Sequence, residues 1–441
     1  MARFVVLLSI PGLRARDLAS MPNLTRLFVG GGNAILNPSF PAVTCPVQAN
    51  MTTGTPPNQH GVIANGFYWR DQRRVEMWTA WNDCIEKPQI WDILHDRDRA
   101  ITSAVWFALH SKGSGADYIC TPAPVHNDDG SESPWCFTRP ESLYDELKAK
   151  QGHFPLQNFW GPLAGIQSTT WIVDSAIVTA ERYRPNFFYI YLPHLDYAAQ
   201  KTGPDSKAAH QAVVDLDAEL GRLIAGFEKA YTEAPLWLAV SEYVISPVND
   251  VTYPNRILRE AGLLKVSEME DGEHLDFAAS KAWAMVDHQF SHVFVQDSDP
   301  KTIKRVARLF TKRPGIAGVL TGDEIAALKL DHSRSGDVIL VSTPNSWQAY
   351  YWWLDDARAP EYARTVDIHR KPGYDPVELF FDARTKTIPL NATLVKGSHG
   401  APAKEPSQKG VFLTSEPGVF LGGQLSDTEI ADIVLRQFSV E

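Results

Sequence analysis

The chain has 441 residues, a formal net charge of −10 and 21% charged residues, which is the composition of an ordinary globular protein. It has no apolar stretch of membrane-spanning length, and no run of Lys and Arg of the kind that nucleic-acid binding requires. We therefore expect a soluble, cytoplasmic protein with neither a membrane nor a nucleic acid as its partner.

The first apolar run, residues 4–10, ends at the turn Pro11-Gly12. It is short for a signal peptide, and no small-residue cleavage site comes before the turn, so we expect a buried strand. The cysteines show no spacing typical of a metal or redox motif, and reduced thiols are expected in a cytoplasmic protein. They are Cys45, Cys84, Cys120 and Cys136.

Short runs rich in Val, Ile, Leu and aromatic residues alternate with helical patterns through the first 240 residues. Continuous apolar runs are typical of strands covered on both faces of a parallel sheet. The strand-like runs are residues 4–10, 102–107, 187–192 and 236–240, and the helical patterns are residues 175–183 and 207–230. The alternation predicts an α/β fold with a doubly wound, mostly parallel sheet between helix layers, and functional residues at the carboxyl ends of its strands.

The pattern changes between about residues 255 and 370. This part contains a strand at 292–295, a basic helix at 300–312 and strand-like runs at 337–342 and 348–353. It is either a smaller α/β cap packed beside the sheet or a continuation of the sheet. We predict a single α/β domain, residues 1–441, in which 255–370 is the candidate inserted cap subdomain.

Thr44 lies in the segment Asn37-Pro-Ser-Phe-Pro-Ala-Val-Thr44-Cys-Pro46. Pro46 is suited to the first turn of a helix, so Thr44 is expected at a helix N-terminus. Unpaired backbone N–H groups and the helix dipole stabilise a phosphoryl oxygen at that position. Taken alone, a Thr before a helix is more often only a cap.

The order of several motifs along nearly the whole chain resembles the nucleotide pyrophosphatase/phosphodiesterase branch of the alkaline phosphatase superfamily. Its motifs are an Asp-Gly-Leu-Arg-like turn, a nucleophilic Thr, a Thr-Gly-x-x-Pro-x-x-His-Gly stretch, an Asn, an Asp-x-x-x-His, a Ser-Asp-His-Gly and a late His-Gly. The corresponding pieces of this chain are Pro11 to Arg14, Thr44, Thr53 to Gly61, Asn65, Asp196 to Gln200, Ser241-Glu242-Tyr243 and His399-Gly400.

The resemblance implies an alkaline-phosphatase-like fold and a metal-dependent hydrolase of phosphoester, phosphodiester or pyrophosphate bonds in a phosphorylated small molecule. By the resemblance, Thr44 attacks phosphorus and forms a phospho-threonine. Asn65 then donates a hydrogen bond to a phosphoryl oxygen. Divalent cations, normally two zinc ions, lie on either side of the reacting group.

The sequence departs from this family at the metal ligands. Pro11 replaces the first Asp, Gln200 replaces a His, and Glu242-Tyr243 replaces the Asp-His pair. Asp196 and His399 remain, and the Gln200 amide oxygen could complete one site for Mg²⁺, Mn²⁺ or Ca²⁺.

A phenol ligates poorly unless ionised, so we assign Tyr243 to substrate binding. Glu242 is then the ordinary ligand left at the other site. The expected cofactor is one or two divalent ions, either Zn or Mn/Mg. The alternative function is a weak or inactive phosphatase-fold protein that binds a phosphorylated small molecule.

Other histidines extend the candidate ligand set. If the chain is extended after Leu192, His194 and Asp196 point the same way because side chains alternate along a strand. His288 and His292 share a face in either a strand or a helix, beside Asp287, although this cluster is also typical of a polar turn. His60 is more typical of a structural hydrogen bond.

A basic stretch follows the candidate cap. It runs from His369 through Arg370 and Lys371 to Asp375. Arg binds phosphate and carboxylate in a bidentate manner, so Arg370 is a candidate substrate-binding residue, with a solvated loop as the alternative.

Overall fold

The computed structural model describes residues 4–126 and 132–439. In chain order, the strands are β1 (Val5–Ser9), β2 (Gly32–Asn37), β3 (Gly66–Trp69), β4 (Arg74–Met77), β5 (Ser103–Trp106), β6 (Tyr118–Pro122), β7 (Val125–His126), β8 (Glu132–Ser133), β9 (Cys136–Arg139), β10 (Phe187–Tyr191), β11 (Leu236–Val240), β12 (Ser246–Pro247), β13 (Asp250–Thr252), β14 (Val266–Met269), β15 (Gly272–Leu275), β16 (Ala282–Asp287), β17 (Phe290–Val295), β18 (Ile316–Leu320), β19 (Val338–Ser342), β20 (Ser346–Gln348), β21 (Gly397–Ser398), β22 (Gly410–Thr414) and β23 (Gln424–Ser426).

The α-helices range from one turn to 24 residues. They are α1 (Pro22–Leu27), α2 (Thr44–Thr53), α3 (Pro57–His60), α4 (Ile90–Arg97), α5 (Leu143–Gln151), α6 (Ile166–Tyr183), α7 (His194–Thr202), α8 (Lys207–Ala230), α9 (Pro254–Glu260), α10 (Pro300–Phe310), α11 (Asp323–Ala327) and α12 (Ile430–Arg436). Within residues 4–126 and 132–439, none of the helices is both long and apolar enough to cross a membrane.

The central sheet has the strand order β23-β2-β22-β11-β1-β10-β5-β6-β9. Five neighbouring strands, from β11 to β6, are parallel, while β22 and β9 pair antiparallel with their neighbours. The residues of β1, β10 and β11 are buried throughout, as continuous apolar runs predict for strands covered on both faces. The predicted doubly wound α/β fold is confirmed.

Helix α8 shows how the sequence directs one helix onto this sheet. Its apolar residues recur every three to four positions, and Leu216, Leu220 and Leu223 are fully buried. The Ser206 side chain accepts a hydrogen bond from the backbone N–H of Ala209 and so caps the first turn. The bounds of α8 agree with the predicted 207–230, whereas α6 begins nine residues before the predicted 175.

A second apolar core lies outside the central sheet. It surrounds the antiparallel sheet β16-β17-β19-β18 and helices α9 and α10. Side chains from residues 40–77 and 377–395 also belong to this core, so it extends beyond the 255–370 segment. The division into one domain with an inserted cap remains a prediction. The predicted run at 348–353 forms a strand only at its start, in β20, although residues 349–353 are buried.

The candidate site lies where three parallel strands end side by side. Ser9, the last residue of β1, pairs in register with Tyr191 of β10 and with Val240 of β11. The segments that leave these strands carry Pro11, helix α7 and Glu242-Tyr243, so these candidate residues lie at the carboxyl ends of the strands. All four cysteines are buried free thiols, as predicted.

Candidate functional site

Thr44 is the first residue of α2, and Val43 before it has extended backbone angles, as an N-cap residue does. The prediction of Thr44 at a helix N-terminus is therefore confirmed. The Thr44 side chain is 4% exposed, and its Oγ1 lies 3.0 Å from the phenol oxygen of Tyr243 in a buried hydrogen bond. The first turn of α2 is therefore held against the segment that follows β11.

Three of the hydrogen bonds made by Asn65 tie it to Cys45 and Asp287. Its Oδ1 accepts from the backbone N–H of Cys45 at 2.9 Å, its Nδ2 donates to Asp287 Oδ1 at 3.0 Å, and its backbone N–H donates to Asp287 Oδ2 at 2.8 Å. The Asn65 amide is thus tied to the start of α2 and to the end of β16. One N–H of the side-chain amide remains for the predicted hydrogen bond to a phosphoryl oxygen.

Four buried rings follow one another beside Thr44 as two stacked pairs whose planes are inclined by 43° where the pairs meet, and we call them the ring column. Tyr243 and His399 are parallel at a centroid distance of 3.6 Å, His399 and His288 lie 3.9 Å apart, and His288 and Tyr374 stack at 3.6 Å. His399 Nδ1 is hydrogen-bonded to the carbonyl oxygen of Ala42 at 2.8 Å. The column brings together side chains from four separate segments of the chain.

Asp196 and Gln200 lie one turn apart on α7. Gln200 Nε2 donates to Asp196 Oδ2 at 3.0 Å, and Gln200 Oε1 accepts from the Tyr374 hydroxyl at 2.7 Å. Asp196 Oδ1 is buried and has no hydrogen-bond partner in the described structure. The ring column is therefore linked to Thr44 at one end through Tyr243, and to Asp196 at the other end through Tyr374 and Gln200.

Glu242, the residue before Tyr243, is fully buried. Its Oε1 accepts hydrogen bonds from Ser9 Oγ at 2.6 Å and from Gln48 Nε2 at 2.8 Å, while Oε2 is unpartnered among the described residues. Gln48 is one turn after Thr44 on α2. Sequence analysis missed Ser9 and Gln48, although the four-residue spacing from Thr44 would have placed Gln48 on the same side of the helix.

Burial dominates the acid-base properties of the three carboxyl groups. It raises the pKa of Asp196 to about 7, and the hydrogen bond from Gln200 offsets part of this rise. Burial likewise raises the pKa of Glu242 to about 8 and that of Asp287 to about 6. No lysine or arginine is among the principal causes of these shifts, so nearby positive charge does little to hold the groups ionised.

Burial also controls the histidines of the ring column. It lowers the pKa of His399 and of His288 well below the ordinary value, so both imidazoles are neutral near pH 7. His288 Nδ1 is 2.5 Å from Asp287 Oδ1. The column is therefore a stack of uncharged rings.

These side chains do not fit the pair of divalent cations that the resemblance implies. The described residues contain no group of three or more His, Cys, Asp and Glu side chains arranged to hold a metal ion. Asp196 Oδ1, Glu242 Oε2 and His399 Nε2 are buried and unpartnered, but they do not make up such a group. Gln200 turns its amide oxygen to Tyr374, so it is not presented as the ligand that we predicted.

His194 lies apart from Asp196. The chain does not stay extended after β10, because α7 begins at His194, and residues two apart on a helix point about 200° away from each other. His194 instead lines a separate cavity of about 150 Å³ with Tyr197 and Lys201. The prediction that His194 and Asp196 face the same way is wrong.

His288 and His292 also separate. His288 forms the turn between β16 and β17 with a positive φ of 57°, whereas His292 lies within β17. His292 Nε2 is bonded to the carbonyl oxygen of Ile63, and its Nδ1 accepts from the N–H of Gly336. The predicted shared face is wrong, and His288 alone joins the ring column.

His60 makes a structural hydrogen bond, as its position in a turn favoured. Its Nε2 lies 2.7 Å from Asn50 Oδ1, and its Nδ1 accepts from the N–H of Val62 at 3.0 Å. Both contacts hold the end of α2 against the following turn.

The basic stretch divides between surface and interior. Arg370 is exposed, is paired with Asp367, and lines an open cleft of about 400 Å³ together with Arg73 and Arg74. Lys371 is buried instead, where it forms ion pairs with Asp375 and Glu378. Arg370 therefore lies in a cleft that none of the ring-column residues lines, and its role in substrate binding remains a prediction.

Comparisons with known proteins agree with this architecture. The sequence model of the type I phosphodiesterase / nucleotide pyrophosphatase family matches residues 5–375. An uncharacterized pyrophosphatase/phosphodiesterase of Schizosaccharomyces pombe is 23% identical over 256 residues, covering 56% of this chain and 45% of the relative. Ectonucleotide pyrophosphatase/phosphodiesterase 1 of Saccharomyces cerevisiae is 24% identical over 261 residues, covering 55% of this chain and 33% of the relative. The matches thus span less than half of the length of either curated relative.

Solved structures show the same fold. Phosphonoacetate hydrolase from Sinorhizobium meliloti, in complex with phosphonoformate, has a TM-score of 0.65 at 16% identity, covering 99% of this chain and 96% of that chain. Murine ectonucleotide pyrophosphatase / phosphodiesterase 5 has a TM-score of 0.63 at 13% identity, covering 100% of this chain and 96% of that chain.

Proposed function

Because this chain belongs to the type I phosphodiesterase / nucleotide pyrophosphatase family, we propose that it hydrolyses phosphoester, phosphodiester or pyrophosphate bonds in small molecules, with Thr44 as the nucleophile. One observation carries the proposal. The Thr44 hydroxyl is at the N-terminus of α2 and is hydrogen-bonded to Tyr243, at the carboxyl ends of the parallel strands. A hydroxyl in that position can approach phosphorus while the helix N-terminus stabilises the phosphoryl oxygens.

The route that we propose for the hydroxyl proton runs through Tyr243 to Asp196, the carboxyl group that contributes most, after burial, to raising the Tyr243 pKa. As the Thr44 oxygen bonds to phosphorus, its proton passes to the Tyr243 oxygen, and the Tyr243 proton passes to Asp196. Burial raises the pKa of Tyr243 well above its usual value, so the phenol remains protonated and able to pass a proton on. The Asp196 pKa of about 7 suits a group that accepts a proton near neutral pH.

The leaving group departs with the electron pair of the broken P–O bond. Water then attacks the phospho-threonine, and the bond between phosphorus and the Thr44 oxygen breaks. The Asp196 proton returns through Tyr243 to the Thr44 oxygen, and the proton that the water loses passes to the leaving-group oxygen or to solvent, which restores the resting site and releases the phosphorylated product. The remaining N–H of the Asn65 amide is the group proposed to donate to a phosphoryl oxygen in both steps.

The test compares Thr44→Ala with Thr44→Ser on bis(4-nitrophenyl) phosphate, with chelator and with added Zn²⁺, Mn²⁺ or Mg²⁺. We expect no turnover by Thr44→Ala, and partial activity with Thr44→Ser because a hydroxyl is kept. Mass spectrometry of acid-quenched protein should detect a phosphoryl group on the peptide that carries Thr44. Full activity in Thr44→Ala would refute the assignment of Thr44 as the nucleophile. Dependence on an added cation would instead favour the metal site predicted from the sequence.

A second candidate function is binding without turnover. It is favoured by the absence of a three-donor metal set among the described residues and by the burial of the Thr44 hydroxyl. In that case the protein would bind a phosphorylated small molecule, and Thr44→Ala would leave its affinity for a non-hydrolysable phosphonate unchanged. The cytoplasmic location also remains a prediction, to be tested by cell fractionation.

A further inference from the structure

We propose that the ring column replaces the two divalent cations of the family pattern, so that the Thr44 site assembles without a bound metal. The inference concerns how the site is built, and it holds whether or not Thr44 is the nucleophile. It rests on the positions of three substituted residues, Pro11, Gln200 and Tyr243.

Tyr243 and Pro11 change the same part of the site. Tyr243 follows Glu242, at the His position of the Ser-Asp-His-Gly motif, and its phenol oxygen is 3.0 Å from Thr44 Oγ1. The phenol thus makes a contact with the Thr44 oxygen that, by the family resemblance, a cation would make. The N–H of Gly12 donates to the carbonyl oxygen of Tyr243 at 2.9 Å, which holds Pro11 beside Tyr243. Pro11 removes the carboxylate ligand of the family pattern, and Tyr243 puts a phenol ring where the pattern has a histidine ligand.

Gln200 changes the second part of the site. A cation there would neutralise the Asp196 carboxylate. Instead, the Gln200 amide donates an N–H to Asp196 Oδ2, while its oxygen accepts from Tyr374. The lone pairs that could bind a metal are directed to a phenol, and the side chain that faces Asp196 is a hydrogen-bond donor.

His399 has one ring nitrogen that is not already bonded to another of the described residues. An imidazole binds a metal through a lone pair in the plane of its ring. The two faces of the His399 ring are covered by Tyr243 at 3.6 Å and by His288 at 3.9 Å, and Nδ1 is bonded to Ala42. Only the Nε2 lone pair remains to bind a metal, and no described group of three ligands includes His399.

The first measurement is the zinc content of the untagged 441-residue chain after dialysis against zinc and gel filtration. The protein should hold less than about one zinc per ten chains, and its melting temperature should be the same in chelator and in zinc. Stoichiometric zinc that is lost in Asp196→Asn, with a fall in melting temperature on chelation, would overturn the inference.

The second measurement restores the family donors in the triple variant Pro11→Asp, Gln200→His, Tyr243→His. If the rings stand in the place of the ions, this variant should bind about one or two zinc ions per chain, because the removed ligands return. Gln211→His, an exposed substitution on α8, is the matched control and should gain no tightly bound zinc.

Near-ultraviolet circular dichroism establishes that the triple variant is folded before its zinc content is measured. If that variant is unfolded, the double variant Gln200→His, Tyr243→His takes its place. Zinc binding by the variant and not by the parent supports the proposal. A folded variant that binds no more zinc than the parent overturns it, because the rings would then not occupy a cation position.

Discussion

The hydroxyl oxygens of Thr44 and Tyr243 lie 3.0 Å apart, although the two residues are separated by 199 positions in the sequence. Thr44 begins α2, and Tyr243 follows β11, so the contact joins a helix N-terminus to the carboxyl end of the central sheet. The Tyr243 ring is held in place by its stacking on His399. The position of the Thr44 side chain therefore depends on a phenol that is itself fixed by packing.

Removal of this phenol oxygen should impair turnover more than binding. Tyr243→Phe keeps the ring in the column but removes the hydrogen bond to Thr44 and the proton route to Asp196. We expect kcat for a phosphodiester to fall by about 10²-fold with little change in KM, since a positioned acid-base group contributes a factor of that order. Tyr118→Phe, which removes a partly exposed phenol stacked on Tyr183, is the control and should leave both constants unchanged. An equal loss of kcat in both variants would contradict a specific role for Tyr243.

The bonds between Asp287 and Asn65 should contribute to stability. Asp287 accepts from both the backbone and the side chain of Asn65 and is paired with His288. Asp287→Ala leaves a buried backbone N–H without a partner, so we expect the free energy of unfolding to fall by about 2–3 kcal/mol. Urea denaturation measures this loss, and Asp323→Ala at the exposed start of α11 provides the comparison. If Asp287→Ala lost less unfolding free energy than Asp323→Ala, the hydrogen bonds between Asp287 and Asn65 would not contribute to stability.

Local sequence signals predicted the parts of the fold that depend on neighbouring residues. Continuous apolar runs located β1, β10 and β11, and periodic apolar residues gave α8 its bounds. Pro46 placed Thr44 at a helix start. Each of these features follows from chain segments shorter than about 25 residues, in which side-chain periodicity reports on secondary structure.

The ring column could not be predicted in the same way. Its members come from segments around residues 243, 288, 374 and 399, and their stacking depends on how two sheets pack together. A strand that continued past Leu192 would direct His194 and Asp196 the same way, but α7 begins at His194 and separates the two side chains. The hairpin between β16 and β17 turns at His288-Gln289 without the Gly or Asn that usually marks such a turn, so the local sequence does not indicate that the turn separates His288 from His292.

Lys371 should be important for stability rather than for ligand binding. Its Nζ lies 2.9 Å from Asp375 Oδ2 and 2.6 Å from Glu378 Oε1, and the side chain is 1% exposed. Lys371→Met leaves two buried carboxyl groups without their cation, and breaking such a pair typically costs about 3–5 kcal/mol. The triple variant Lys371→Met, Asp375→Asn, Glu378→Gln should recover part of this loss. Denaturant titration measures the free energy of unfolding of the parent and of both variants. Equal values for Lys371→Met and the parent would refute the stabilising role of the ion pairs.

The buried Glu242 carboxyl should make the protein less stable as the pH rises. Burial raises the pKa of Glu242 from 4.5 to about 8, so between these values the folded protein keeps a proton that the unfolded chain has lost. The free energy of unfolding then falls with rising pH, by at most about 1.4 kcal/mol per pH unit from this group.

Glu242→Gln can still accept the hydrogen bonds from Ser9 and Gln48 but cannot ionise. Its stability relative to the parent should therefore increase from pH 5.5 to pH 8 in urea titrations with chelator. The exposed substitution Glu233→Gln should show no such trend, and a constant difference between Glu242→Gln and the parent across this pH range would exclude a raised Glu242 pKa.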